Sequence, residues 1–180
     1  VIERSADYAA DLSTRLRERI YSQVVPPLAT AIAKARNLKD PSADDLSTVY
    51  RTALYALFRL LFVAYAEDQE LLPYRTNELY RARSLKQKAR DLLAVLQRGI
   101  PFGPDPTHWQ DVQRLFDAVD SGKPEWGVPP YDGGLFASDH TEAPIGAALG
   151  RITLPDIAFG PPLAALLLEQ SPEGLGPVDF

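Results

Sequence analysis

Three acids close an apolar run. In LFRLLFVAYAEDQELLP, residues 57–73, Glu67, Asp68 and Glu70 follow ten residues interrupted only by Arg59. Neighbouring carboxylates can act as general acid and base or hold a hard cation, provided a pocket and further ligands converge on them. At helical spacing only Glu67 and Glu70, at i and i+3, share a face, while Asp68 points elsewhere. No histidine stands near enough to complete a ligand set. The pattern predicts a solvated helix end, the polar finish of an apolar rod. The two histidines add little. His108 precedes Trp109 in the first turn of a predicted helix and reads as a surface or capping residue. His140, in ASDHTEA with Asp139 and Glu142, could chelate a cation only weakly without a second imidazole or a thiolate. The sequence has no cysteine, which removes disulfides, thiolate nucleophiles and cysteine-bound zinc. No serine occupies a glycine-flanked nucleophile elbow. No catalytic, cofactor-binding or metal-ligating residue is expected.

Two motifs bear on nucleic acid. In YRARSLKQKAR, Arg83, Lys86 and Arg90 fall on one helical face opposite Leu85, Leu92 and Leu96, so they are candidate phosphate contacts. The more economical reading is a solvated surface stripe. VPPYDGGLF, residues 128–136, contains three quarters of the Asn-Pro-Pro-Tyr signature of adenine methyltransferases. Val128 replaces the polar residue that would accept a hydrogen bond from a flipped adenine amino group, so this loop should not methylate. A lone Gly174-Leu175-Gly176 is too little for a cofactor cradle.

The elements carrying these residues read as helices. Tyr8, Leu12, Leu16, Ile20 and Val24 recur every four residues, with a break or kink expected at Pro26 and Pro27. The helix resumes to Asn37. Ser42 with Asp45 three residues on predicts the start of a long helix to about Gln69, apolar nearly all round and therefore buried centrally. Short helices follow near 76–82 and from 85 to Gly99, then 107–119, and finally about 161–170, where Pro161 and Pro162 suit a first turn. Residues 123–142 read as an ordered loop packed by Trp126, Tyr131 and Phe136. No strand pattern is seen. The expected class is all-α: an irregular helical bundle with a central buried helix and a long Pro/Gly-rich ordered loop. Residues 1–99 would form the bundle, and 100–180 an extension whose two helices pack on the same core.

Charge divides the chain in the same way. Residues 1–98 hold 16 of the 19 basic and 12 of the 24 acidic residues, giving about +4 before residue 99 and −9 after it. An acidic total argues against general coating of nucleic acid, though the basic half could touch phosphates locally. The run of 57–66 is short of the roughly 20 apolar residues a membrane span takes. No secretory signal is visible, so a cytoplasmic location without a membrane partner is expected. The missing initiator Met leads one to expect a piece of a longer polypeptide.

Taken in order, these motifs resemble a known arrangement. Tyr65-Ala66-Glu67-Asp68 with Leu71-Leu72-Pro73, Pro130-Tyr131-Asp132-Gly133-Gly134-Leu135-Phe136 and Ile152-Thr153-Leu154-Pro155-Asp156 are similar to the helical region preceding the methyltransferase domain of type IIG restriction–modification enzymes and phage-defence N6-adenine DNA methyltransferases. Asp132 stands where that family has Asn. The resemblance covers about residues 45–180. It implies a non-catalytic helical connector between a nuclease and an S-adenosylmethionine-dependent methyltransferase, meeting DNA weakly by itself. No catalytic residue of the family maps onto this chain. Tyr131 and Phe136 would anchor the loop, and Gly133 and Gly134 would give it backbone freedom. A free-standing helical protein–protein interaction module is the alternative.

Overall fold

The computed structural model of the chain describes residues 14–131, 133–137 and 144–180. The Tyr8–Leu12 part of the first stripe, Asp132, Asp139, His140 and Glu142 lie outside them. The described residues are predominantly helical. α1, residues 14–19, leads through a π turn, Ile20–Val24, into α2, Val25–Ala35. The break expected at the prolines is instead this π turn, in which the Val25 N–H reaches back to the Ile20 carbonyl. Pro26 then falls in the first turn of α2, where a missing N–H costs nothing. Asn37 closes the segment at φ 54°, in the left-handed region.

α3, Ala43–Asp68, starts at a reciprocal capping box. The Ser42 hydroxyl accepts the Asp45 N–H at 3.1 Å, and the Asp45 carboxylate accepts the Ser42 N–H at 3.1 Å. Val49, Ala53, Ala56, Leu57, Leu60, Val63 and Ala64 are buried, and the helix packs against α2, α5 and α7. Burial all round, as its composition predicts, is not observed. Leu46, Tyr50, Phe58 and Tyr65 face solvent, because the packed helices cover one side only. By length and composition α3 could cross a membrane, with an apolar window longer than residues 57–66 imply. Its buried side nevertheless carries Arg59 and Glu67, both nearly inaccessible.

α4, Glu78–Arg81, is capped by Asn77, and α5, Leu85–Gln97, by Ser84, whose hydroxyl accepts the Gln87 N–H. Gly99 follows at φ 65°. α6, Thr107–Ser121, buries Trp109, Val112, Leu115, Phe116 and Val119, the stripe its spacing predicts. α7, Pro144–Arg151, follows the loop and has no counterpart among the sequence expectations.

α8, Asp156–Leu167, starts five residues earlier than expected and holds Pro161 and Pro162 inside it. Its first N–H groups are satisfied from outside, Asp156 donating to the Asp105 carbonyl and Ile157 to that of Gly103, both at 2.8 Å. The last helix does not reach residue 170. Leu168–Ser171 (β1) and Gly174–Pro177 (β2) instead form an antiparallel hairpin, Leu168 opposite Pro177. The two short strands escape a periodicity search because β1 prolongs the apolar end of α8 and β2 is mostly Gly and Pro. α8 packs on α2, α5 and α6, and β2 on α5, so one apolar core draws on both halves of the chain.

Candidate functional site

The three acids do not form a solvated end. Glu67 is 2% exposed and its carboxylate accepts three hydrogen bonds: Tyr80 Oη to Oε1 at 2.8 Å, Leu85 N to Oε1 at 2.8 Å and Lys86 N to Oε2 at 3.0 Å. The last two are orphan N–H groups in the first turn of α5, so α3 ends by capping a neighbouring helix. Burial pushes the Glu67 carboxyl up from its ordinary value, and the three donors with the Lys86 charge pull it back. Burial and the adjacent Glu67 push the Tyr80 phenol up, so it remains a donor. Sequence spacing missed this site because its donors come from 13 to 19 residues downstream.

Asp68 points away from Glu67, as their spacing requires, but it is not solvated either. It pairs with the Lys86 ammonium and accepts the Phe180 N–H at 2.7 Å. Val178 N also donates to the Leu167 carbonyl, so the carboxyl-terminal segment is tied to both α8 and the end of α3. Glu70, at φ 58°, meets Arg75 at 2.9 Å on the exposed surface, the only one of the three acids that matches a wet end.

A second joint lies two turns earlier on α3. Arg59 is 3% exposed, and it donates from Nε to the Leu135 carbonyl at 2.7 Å and from Nη2 to that of Ala137 at 3.0 Å. Its guanidinium lies 5.5–5.6 Å from the ring centres of Tyr55, Phe116 and Phe136. Burial lowers its pKa, opposed by Tyr55, Asp120 and Asp117, and it stays charged. The loop is anchored around it. Tyr131 Oη donates to the Leu71 carbonyl at 2.6 Å, Tyr55 Oη to that of Gly134 at 3.1 Å, and Phe136 is buried edge-on to Phe62 and Phe116. Gly133 and Gly134 lie outside the left-handed region and have room for a Cβ, so neither glycine is sterically required. Gly146 is, since a Cβ there would meet the Ala137 carbonyl oxygen at 2.1 Å.

The candidate phosphate contacts divide. Lys86 is committed to Asp68 and lies over Tyr74, so it leaves the expected trio of free cations. Arg90 is exposed beside the same ring, 6.0 Å from its centre. Arg83 precedes the α5 cap, donates to the Leu79 carbonyl and lies over Trp126 at 5.1 Å. A cleft of about 140 Å³ opens beside it, lined by Ser84, Lys88, Asp91, Asp111, Arg114 and Trp126. Asp111 there holds both Lys88, at 2.5 Å, and Arg114, at 3.3 Å, so the cleft's charges largely cancel.

His108 is half-buried. Its backbone N–H donates to Asp156 Oδ1 at 2.8 Å, its ring meets Phe102 edge-on, and its Nδ1 is buried with no hydrogen-bond partner. Burial lowers its pKa more than the facing Asp156 raises it, with Lys88 lowering it and Asp111 and Asp91 raising it slightly. A depressed folded value means that neutral His108 supports the fold above its unfolded pKa of about 6.5, and that this support is lost as pH falls through the folded value. Urea midpoints taken from pH 7 to pH 5 should fall more for the wild type than for His108→Gln; equal falls would show that His108 does not titrate on unfolding.

Among the described residues no three His, Asp or Glu side chains gather closely enough to hold a metal ion. The arrangement is mechanical: two buried charges, each fastening a distant segment to α3. No family model, curated protein or solved structure matches the chain.

Proposed function

We propose that this chain is a non-catalytic helical connector that sets the spacing of modules in a larger adenine-specific DNA methyltransferase or restriction–modification protein. S-adenosylmethionine and the reacting groups belong to the rest of that protein. The observation that carries the reading is the use made of the resembling motifs. Glu67 and Asp68, of Tyr-Ala-Glu-Asp, bind α5 and the carboxyl-terminal segment, while Arg59 grips the loop of Pro130–Phe136. Side chains built into joints transmit position, and Arg59, Glu67 and Asp68 are each engaged in holding another segment.

A spacer that positions must open as one unit. Native-state hydrogen exchange should give the Leu85, Lys86 and Phe180 amides the same opening free energy as amides in the buried half of α3. A Phe180 amide that opens far more readily would refute rigid coupling. Any duplex binding should be weak and salt-dependent, and reduced by reversing Arg83 and Arg90, whereas reversing Lys86 should act through stability instead.

The protein–protein interaction module is favoured by one specific observation, the uncovered apolar side of α3.

A further inference from the structure

Between Tyr50 and Tyr65 the solvent side of α3 carries one charge, Arg51, at its edge. Tyr50, Phe58 and Tyr65 are 45%, 51% and 52% exposed, with Leu54 and Leu61 partly exposed between them. At about 100° per residue the five fall within an arc of about 80°, where a water-facing helix is normally polar. Their order is symmetric. Tyr, Leu, Phe, Leu, Tyr reads the same in both directions about residues 57–58, with Tyr50 and Tyr65 at the ends and Leu54 and Leu61 inside them.

An isologous contact needs a patch on which residue i meets j while j meets i. We propose that this face is covered by a second copy of the chain, with the two α3 helices antiparallel and the dyad beside Phe58. Tyr50 then lies opposite Tyr65 of the second copy, Leu54 opposite Leu61, and the two Phe58 rings adjoin at the axis. Arg51 comes to the edge of the second copy's Tyr65, where a cation can lie over the ring. No like charges meet in this register, since Arg51 is displaced from the axis. Half-exposed aromatics and two leucines offer roughly 400–500 Å² per copy, short of the roughly 800 Å² per partner of a standard interface, so a weak, readily reversible dimer is expected.

The absence of cysteine makes the test clean. Sedimentation between about 5 and 500 µM, where a weak dimer with a dissociation constant of tens of micromolar is partly populated, should show the weight-average mass rising from 19.9 kDa toward twice that. Phe58→Asp should hold it at the monomer with helix content unchanged. Phe58→Cys should give a disulfide-linked dimer under mild oxidation, while Leu79→Cys, equally exposed but outside the face, should not. A monomer throughout the range overturns the proposal, including one that instead floats with phospholipid vesicles. Equal cross-linking of the two cysteine variants overturns it as well. Either failure leaves the connector reading to its own hydrogen-exchange test.

Discussion

Arg59→Met should destabilise the chain by about 3 kcal/mol, measured as a shift in urea unfolding followed by helix signal. Methionine keeps the apolar stem and much of the volume, so little cavity forms. What disappears is the pair of charge-assisted bonds to the Leu135 and Ala137 carbonyls, each worth roughly 1.5–3 kcal/mol when the donor is charged. Part is returned because a buried guanidinium no longer has to be desolvated. Arg59→Lys should recover less than half of the loss, since an ammonium cannot present the rigid fork that reaches both oxygens. Gly146→Ala attacks the same contact from the other side, its Cβ displacing the Ala137 carbonyl that Arg59 holds. The double variant Arg59→Met with Gly146→Ala should therefore cost less than the two separately, because they disrupt one shared contact. A change below about 0.5 kcal/mol for Arg59→Met, the range of an ordinary surface substitution, would remove Arg59 from this role.

The contrast between Arg59 and the elements around it marks what the sequence makes legible. Ser42, Asn37, Gly99 and the stripe from Trp109 to Val119 are local signals, governed by neighbours within a turn or two, and the structure realises each of them. Arg59 and Glu67 are governed by partners 13 to 78 residues away, so periodicity assigned them to an interruption and a wet end. A cue was present in each case. A lone arginine within an apolar stretch must find acceptors if it is buried, and a loop rich in Gly and Pro has free carbonyls to offer. The start of α8 was hidden for a related reason, because the loop of residues 103–105 supplies acceptors that no local rule anticipates. The exposure of Phe58 and Tyr65 has the opposite cause. Composition alone cannot say how many neighbours a helix acquires.

Glu67 allows the sharper dissection, because its neighbour Asp68 performs a separable task. Glu67→Ala should cost about 3–5 kcal/mol, leaving a buried phenol and two helix N–H groups without an acceptor, each at roughly 1–3 kcal/mol, less the relief of removing a buried charge. Glu67→Gln should cost less, since its carbonyl can replace Oε1, but its amide would then face the Lys86 N–H donor to donor. Tyr80→Phe keeps the packing and loses one bond, about 1–2 kcal/mol, and should leave the Leu85 and Lys86 amides slow to exchange. Coupling between positions 67 and 80 in a double-mutant cycle should be near 1 kcal/mol. Asp68→Ala should behave differently, freeing the Phe180 amide and Lys86 while the α5 cap stays closed. If Glu67→Ala instead speeds exchange only at Phe180, the assignment of the two carboxylates is reversed. If neither variant changes exchange in α5 or at Phe180, the end of α3 is not a joint and the connector reading loses its physical basis.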